Sequence, residues 1–223
     1  MADELRTGQV VEIMNLPSGL VVDRVGQRLR TLFMPLERAW YDQYDATYVA
    51  NDSILRPYEM SLSAWLNSGI TGNELDRIWQ RRQPIEEALG AIGGEVDLIE
   101  LGECGAQECA ASVQNVLRLI CVEGVALSKA TKILHKKRPR LIPIFDTYVS
   151  DHYIPNLGWR DRDYQVSHFP AVYVRFAQDL RAIFEEVRNV RGDLNQQGYN
   201  LSAVRILEYL IWHRLYYGEH WGL

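Results

Sequence analysis

Cysteine is scarce in this chain of 223 residues: Cys104, Cys109 and Cys121 are all there are, with no C-x-x-C pair and no four-ligand set. That excludes a structural zinc of the usual kind and an iron–sulfur cluster. The five histidines, at 135, 152, 168, 213 and 220, show no metal-ligand spacing either, so no metal centre and no required cofactor are expected. Long hydrophobic runs are missing as well. None approaches the roughly 20 residues that cross a bilayer, and no membrane association is expected. The first residues, MADELRTGQVVEI, lack the basic-then-apolar order of a secretory leader, which points to a cytoplasmic location. There is no repeat, no low-complexity tract and no alternation of strand and helix patterns, so a nucleotide-binding sheet is excluded.

What remains is the composition of a globular protein, with 47% hydrophobic and 24% charged residues, enough to bury one core without staples. Residues 1–40 form a lead-in. Within it Gln9–Met14 and Leu20–Val25 are β-branched and apolar around Pro17-Ser18-Gly19, reading as an irregular segment or short hairpin. Residues 41–223 read as a helical domain. A helix follows Pro57 and stops before Gly69; Asn73 caps the next; Pro84 opens another that Gly93 and Gly94 end. Val113, Val116, Leu117 and Ile120 recur at helical spacing, as do Phe176, Leu180, Ile183, Phe184 and Val187. Asn200 caps a last helix bearing Leu201, Val204, Leu207, Ile211 and Leu215; Glu208 on it reads as either a paired buried acid, the choice that Arg205 and His213 favour, or a pocket residue. The class is mainly α.

The net charge of −5 argues against an indiscriminate phosphate binder, but its distribution is uneven. Over the twenty-two residues from Gly124 to Phe145 there is no acid, while Lys129, Lys132, Lys136, Lys137, Arg138 and Arg140 all fall inside. This run reads as a basic face that contacts phosphates rather than a merely solvated one.

The run lies within Leu117–Val149. One helix ends at Glu123, a tight turn follows at Gly124-Val125-Ala126, and a second helix starts near Leu127 or Ser128, a helix–hairpin–helix over 117–136. Backbone N–H groups exposed at such a helix start bind anions. After the basic loop comes Pro143-Ile144-Phe145-Asp146-Thr147-Tyr148-Val149, an acid among apolar residues where a new helix begins. A simple N-cap is one role for Asp146; a chemical role at the same place is the other.

The strings V-E-G-V-A-L-S-K-A and P-I-F-D-T-Y-V resemble the L-P-G-V-G-x-K-T-A hairpin and P-x-x-D-T-H-V segment of the helix-hairpin-helix DNA glycosylase superfamily, which includes endonuclease III and the adenine and alkyl-base glycosylases. The likeness runs from about Ser53 to Tyr153 and is that of a divergent prokaryotic member. It implies a glycosylase-like helical bundle acting on double-stranded DNA as a monomer. Asp146 would then be the catalytic carboxylate, stabilising the cation that develops on the deoxyribose as a flipped base departs. Gly124, Val125 and Ala126 would grip a phosphate, with a structural K+ or Na+ on the hairpin carbonyls, and Ser128, Lys129, Lys132, Lys136, Lys137, Arg138 and Arg140 would extend the DNA contact. The family's L-x-x-x-I-L-S-x-Q-T helix corresponds to Ser63–Thr71, placing Asn67 and Ser68 at the base pocket with Trp65, Tyr44 and Tyr148.

Three positions depart from the family pattern: Glu123 for proline, Ala126 for the second hairpin glycine and Tyr148 for histidine. Bifunctional members carry their Schiff-base lysine eighteen residues before the acid, where this chain has Ser128, and Lys129 points about 100° away on a helix. The expectation is therefore a monofunctional glycosylase without lyase activity, serving base-excision repair or defence against phage with modified DNA. The alternative is a DNA-binding or interaction module that kept the hairpin and lost the chemistry.

Overall fold

The computed structural model describes residues 13–23, 39–47, 49–196 and 200–217. The protein is mainly α, and a two-stranded antiparallel hairpin precedes the helices. Strands β1 (Ile13–Asn15) and β2 (Val21–Asp23) pair Ile13 with Asp23 and Asn15 with Val21, and Gly19 closes their turn at φ +88. The expected hairpin is thus present; of the rest of the 1–40 lead-in, residues 39–40 already belong to the first helix, and residues 1–12 and 24–38, like Tyr48, lie outside the described residues. The hairpin docks on the helical body. Ser18 donates its N–H to Asp179 at 2.9 Å, and Leu16 and Leu20 enter the main core.

Helix α1 (Ala39–Ala46) and the short α2 (Pro57–Ser61), continued by a 3-10 turn over Leu62–Leu66, lead into α3 (Gly72–Gln80) and α4 (Arg82–Gly90). Then come α5 (Glu103–Ile120), α6 (Leu127–Lys137), α7 (Thr147–Tyr153), α8 (Arg162–Ala182), α9 (Phe184–Gln196) and α10 (Ala203–Tyr217). The caps differ from those expected. Thr71, not Asn73, caps α3, because Thr71 and Glu74 exchange bonds in a capping box. Ser202 supplies the first-turn bond of α10 in place of Asn200, accepting from the N–H of Arg205. The fourth helix starts at Arg82 and ends at Gly90, short of Gly93. A break at Ile183 splits the expected run over 176–187 between α8 and α9.

The apolar stripe of α5 (Ala106, Ala110, Val113, Leu117 and Ile120) packs along that of α8 (Phe169, Val172, Tyr173, Phe176 and Leu180), all fully buried. Pro170 inside α8 removes the N–H that would bond the carbonyl four residues back. That carbonyl, of Val166, instead accepts from Gln114 Nε2 of α5 at 2.8 Å. The defect in one helix thereby becomes a polar lock between the two. No helix among the described residues is long and apolar enough to cross a membrane.

Candidate functional site

Between α6 and α7 the N–H groups of Leu141 and Ile142 turn back onto the Arg138 carbonyl, and residues 142–146 belong to neither helix nor strand. Side chains satisfy the backbone further on: the N–H of Phe145 donates to Thr131 Oγ1 at 3.1 Å, and that of Ile144 to Glu208 Oε2 at 3.2 Å. Phe145 is wedged edge-on against Tyr153, Phe169 and Phe176. These contacts fix the next residue, Asp146. Its Oδ1 accepts from the N–H of Val149 at 2.9 Å, capping α7. On the far side, Gly158 presses against Thr147 so closely that a Cβ there would lie 2.7 Å from the Thr147 Cα.

Asp146 opens on a pocket of about 270 Å3 lined also by Asn67, Ser68, Lys132, Tyr148, Arg205 and Glu208. Burial raises the Asp146 carboxyl above its ordinary range, and the Val149 N–H, Lys132 and Arg205 pull it back. Lys132 Nζ donates to the carbonyl of Leu66 (2.9 Å) and the hydroxyl of Ser68 (2.6 Å), and burial lowers its pKa. Asn67 stands in the left-handed region at φ 55, a conformation its short amide side chain tolerates. Arg205 pairs with both Glu208 and Asp45, and Tyr209 donates its hydroxyl to Asp45 at 2.7 Å. Burial pushes Glu208 up to about 8 against the pull of Arg205. The carboxyls of Asp146 and Glu208 face the Lys132 amine and the Arg205 guanidinium, and burial favours the uncharged forms of Asp146, Glu208 and Lys132.

Of the residues expected at a base pocket, Asn67, Ser68 and Tyr148 line the cavity with Asp146, and Ser128 lies there as well. Tyr148 is 45% exposed and also borders an adjoining apolar cavity of about 400 Å3 walled by Asp151, His152, Trp159 and Leu215. Tyr44 and Trp65 are not lining residues. Tyr44 is fully buried beneath the site, its hydroxyl on the Lys132 carbonyl at 2.6 Å, and Trp65 packs on Tyr44, Leu62, Leu66 and Ile144. Both belong to the supporting core.

The basic run requires a larger correction. Lys132, Lys136, Lys137 and Arg138 are buried and do not form an outward face. Lys137 Nζ is paired with Asp52 at 2.8 Å and Glu59 at 2.7 Å. Lys136 donates to the Tyr44 carbonyl at 2.5 Å and lies over its ring. Arg138 bonds the carbonyls of Leu89 (2.8 Å) and Asp52 (3.0 Å). The outer members are paired too, Lys129 with both oxygens of Glu74 and Arg140 with Asp97. The run holds α6 to its neighbours.

The hairpin turn itself forms as expected. Gly124 takes φ +85, Val125 is buried, and the N–H of Val125 closes the turn onto Val122. A Cβ on Gly124 would strike the Glu74 carboxylate, so the turn is covered on that side. The Glu123 carbonyl accepts from Arg77 at 3.1 Å while the Glu123 side chain pairs with the same guanidinium. A cationic group already occupies this hairpin carbonyl, which does not fit the alkali ion implied by the family likeness.

For the wall contributed by α10, both roles open to Glu208 hold: it pairs with Arg205 and it lines the pocket. Arg205, Glu208, Tyr209 and Trp212 follow i, i+3, i+4, i+7 spacing, a polar and aromatic stripe on an otherwise apolar helix, and that stripe was the available signal. No curated protein and no solved structure matches the chain. Residues 37–215, which include every residue that lines these cavities, match the model of the family of unknown function DUF6308, and the chain belongs to that family.

Proposed function

We propose that the protein is a monofunctional DNA glycosylase that takes a flipped base from double-stranded DNA and hydrolyses its N-glycosidic bond. The observation that carries this reading is the carboxyl group of Asp146, held by a helix N-terminus at the edge of a pocket of about 270 Å3 that sets two acids against two bases. Sites for drug-sized molecules occupy about 300–1,000 Å3. A smaller cavity with hydrogen-bonding side chains such as Asn67 and Ser68 beside apolar ones such as Leu66 and Trp212 suits a single planar, hydrogen-bonding ring, which describes a nucleobase. The electron pair of the breaking C1′–N bond goes to the base. Asp146 stabilises the positive charge left on the sugar, water adds its oxygen at C1′, and its proton neutralises the base. An abasic site remains. Lyase chemistry is not part of this reading, since Ser128 lacks an amine and the Lys132 amine is held by Leu66 and Ser68.

The test is release of abasic sites, revealed by alkali, from a panel of damaged duplexes and modified phage DNA. Asp146→Asn keeps a capping side chain but removes the charge, and should lower base release by at least about 100-fold with little change in thermal stability. Equal release by both proteins would remove Asp146 from the chemistry. No release from any substrate, with duplex binding intact, would leave a DNA-binding module in its place.

A further inference from the structure

On the outer side of the hairpin lies a second cavity, of about 310 Å3, lined by Arg81, Arg118, Cys121, Arg162, Asp163, Val166 and Ser167. Burial pushes the Cys121 thiol up to about 12, so it is a wall and not a nucleophile. The guanidiniums are the notable feature. Among the described residues neither Arg81 nor Arg118 meets a carboxylate: Arg81 reaches the Leu119 carbonyl at 3.5 Å, and Arg118 donates to Gln114 Oε1 at 2.9 Å. Arg162 pairs with Asp163, the one acid in the lining, at 3.0 Å. Three cations against one anion leave a surplus of two positive charges in a concavity, on a chain whose net charge is −5.

The segments that supply Arg81 and Arg162 also carry aromatic rings, outside the lining itself. Trp79, two residues before Arg81, has Arg82 over its ring at 4.5 Å. Tyr164, two residues after Arg162, has Arg160 over it at 5.6 Å and His168 stacked at 3.9 Å. Both rings are 38% exposed. Guanidinium forks match phosphate oxygens bidentately.

We propose that the Arg81–Arg118–Arg162 cleft binds a phosphate group, carried by a nucleic-acid backbone or by a free phosphate compound. The inference does not depend on base excision at Asp146. It is compatible with it, since Cys121 in the cleft and Ser128 in the Asp146 pocket are seven residues apart, at most about 25 Å of chain.

Two ligands separate the sources: pyrophosphate titrated by calorimetry, and a labelled duplex titrated at several salt concentrations. The triple variant R81Q/R118Q/R162Q is compared with wild type and with Arg188→Gln, an exposed arginine on α9. Loss of pyrophosphate binding in the triple variant alone supports the site. A duplex salt slope reduced by about 1 to 2, at roughly 0.9 per phosphate contact, assigns the phosphate to the backbone. An unchanged slope with pyrophosphate binding lost assigns it to a free compound. Unchanged binding of both ligands, or equal loss in Arg188→Gln, overturns the proposal. If the triple variant does not fold, phenylglyoxal modification of the wild-type chain decides. Protection of these three arginines by pyrophosphate or duplex supports the site, and unaltered reactivity overturns it.

Discussion

The basic residues of α6 and the arginines of the outer cleft carry the same charge to opposite ends. In α6 and the turn after it, Lys129, Lys132, Lys136, Lys137, Arg138 and Arg140 are each tied to a carboxylate, hydroxyl or carbonyl of another element. Arg81, Arg118 and Arg162 face a cavity with one acid among them. A local excess of positive charge in sequence therefore does not locate a positive surface. What matters is whether the fold brings counter-charges to it, and here Asp52, Glu59, Glu74 and Asp97 all arrive from more than 40 residues away.

The sharpest check that the α6 interior is dry is acid. His135 is buried with its ring nitrogen on the Ile142 carbonyl at 2.7 Å, and burial, with Arg205 and Lys136 adding to it, lowers its pKa from 6.5 to about 3. The folded state thus keeps His135 neutral while the unfolded chain takes up a proton. Stability is full above pH 6.5 and is lost as pH falls from there towards 3. At about 1.4 kcal/mol per tenfold the whole interval is worth on the order of 5 kcal/mol, about 2 of it between pH 6.5 and 5. Glu208, raised to about 8, acts with the opposite sign in that window. The reading therefore comes from the difference between wild type and His135→Gln in denaturant titrations. Parallel pH curves for the two proteins would mean that water reaches the α6 interior.

Next in size is Lys137→Ala. It removes the cation from Glu59, whose side chain is 1% exposed, and Arg56 at 2.9 Å would be the remaining partner. Breaking a buried pair from one side costs roughly 3–5 kcal/mol, so the urea midpoint should fall steeply. A loss below about 1 kcal/mol would place Lys137 with ordinary surface lysines and restore the outward reading of the run.

The helical class was legible because the apolar residues of α5 and α8 repeat at the helical period and bury that face. Asp146 was legible because a capping acid follows the hairpin at a recognisable distance, and Asn67, Ser68 and Tyr148 came with it. The α10 wall was harder, as Glu208 lies more than 60 residues beyond Asp146 and its bond to the Ile144 N–H exists only in the assembled fold. Tyr44 and Trp65 were misplaced for a related reason: an aromatic residue near a pocket in sequence supports it from beneath as readily as it faces it. Long-range pairing and the choice between lining and floor are tertiary properties, and periodicity carries neither.

The smallest effect is the one that defines the cleft. Arg81 is exposed, its side chain reaches only the Leu119 carbonyl at 3.5 Å among the described residues, and no acid there depends on it. Removing such a group should change stability by no more than about 0.5 kcal/mol, against several for Lys137. Arg118 differs slightly, since it steadies Gln114, which in turn caps the carbonyl freed by Pro170; Arg118→Gln should cost somewhat more than Arg81→Gln and far less than Lys137→Ala. Thermal denaturation of the three variants side by side gives the order directly. A residue that can be removed without loss of stability, yet sits with two others of like charge in a concave surface, is held there at an electrostatic cost that the fold does not need. If Arg81→Gln proves as damaging as Lys137→Ala, the cleft is a structural element like α6 and the contrast between the two regions disappears.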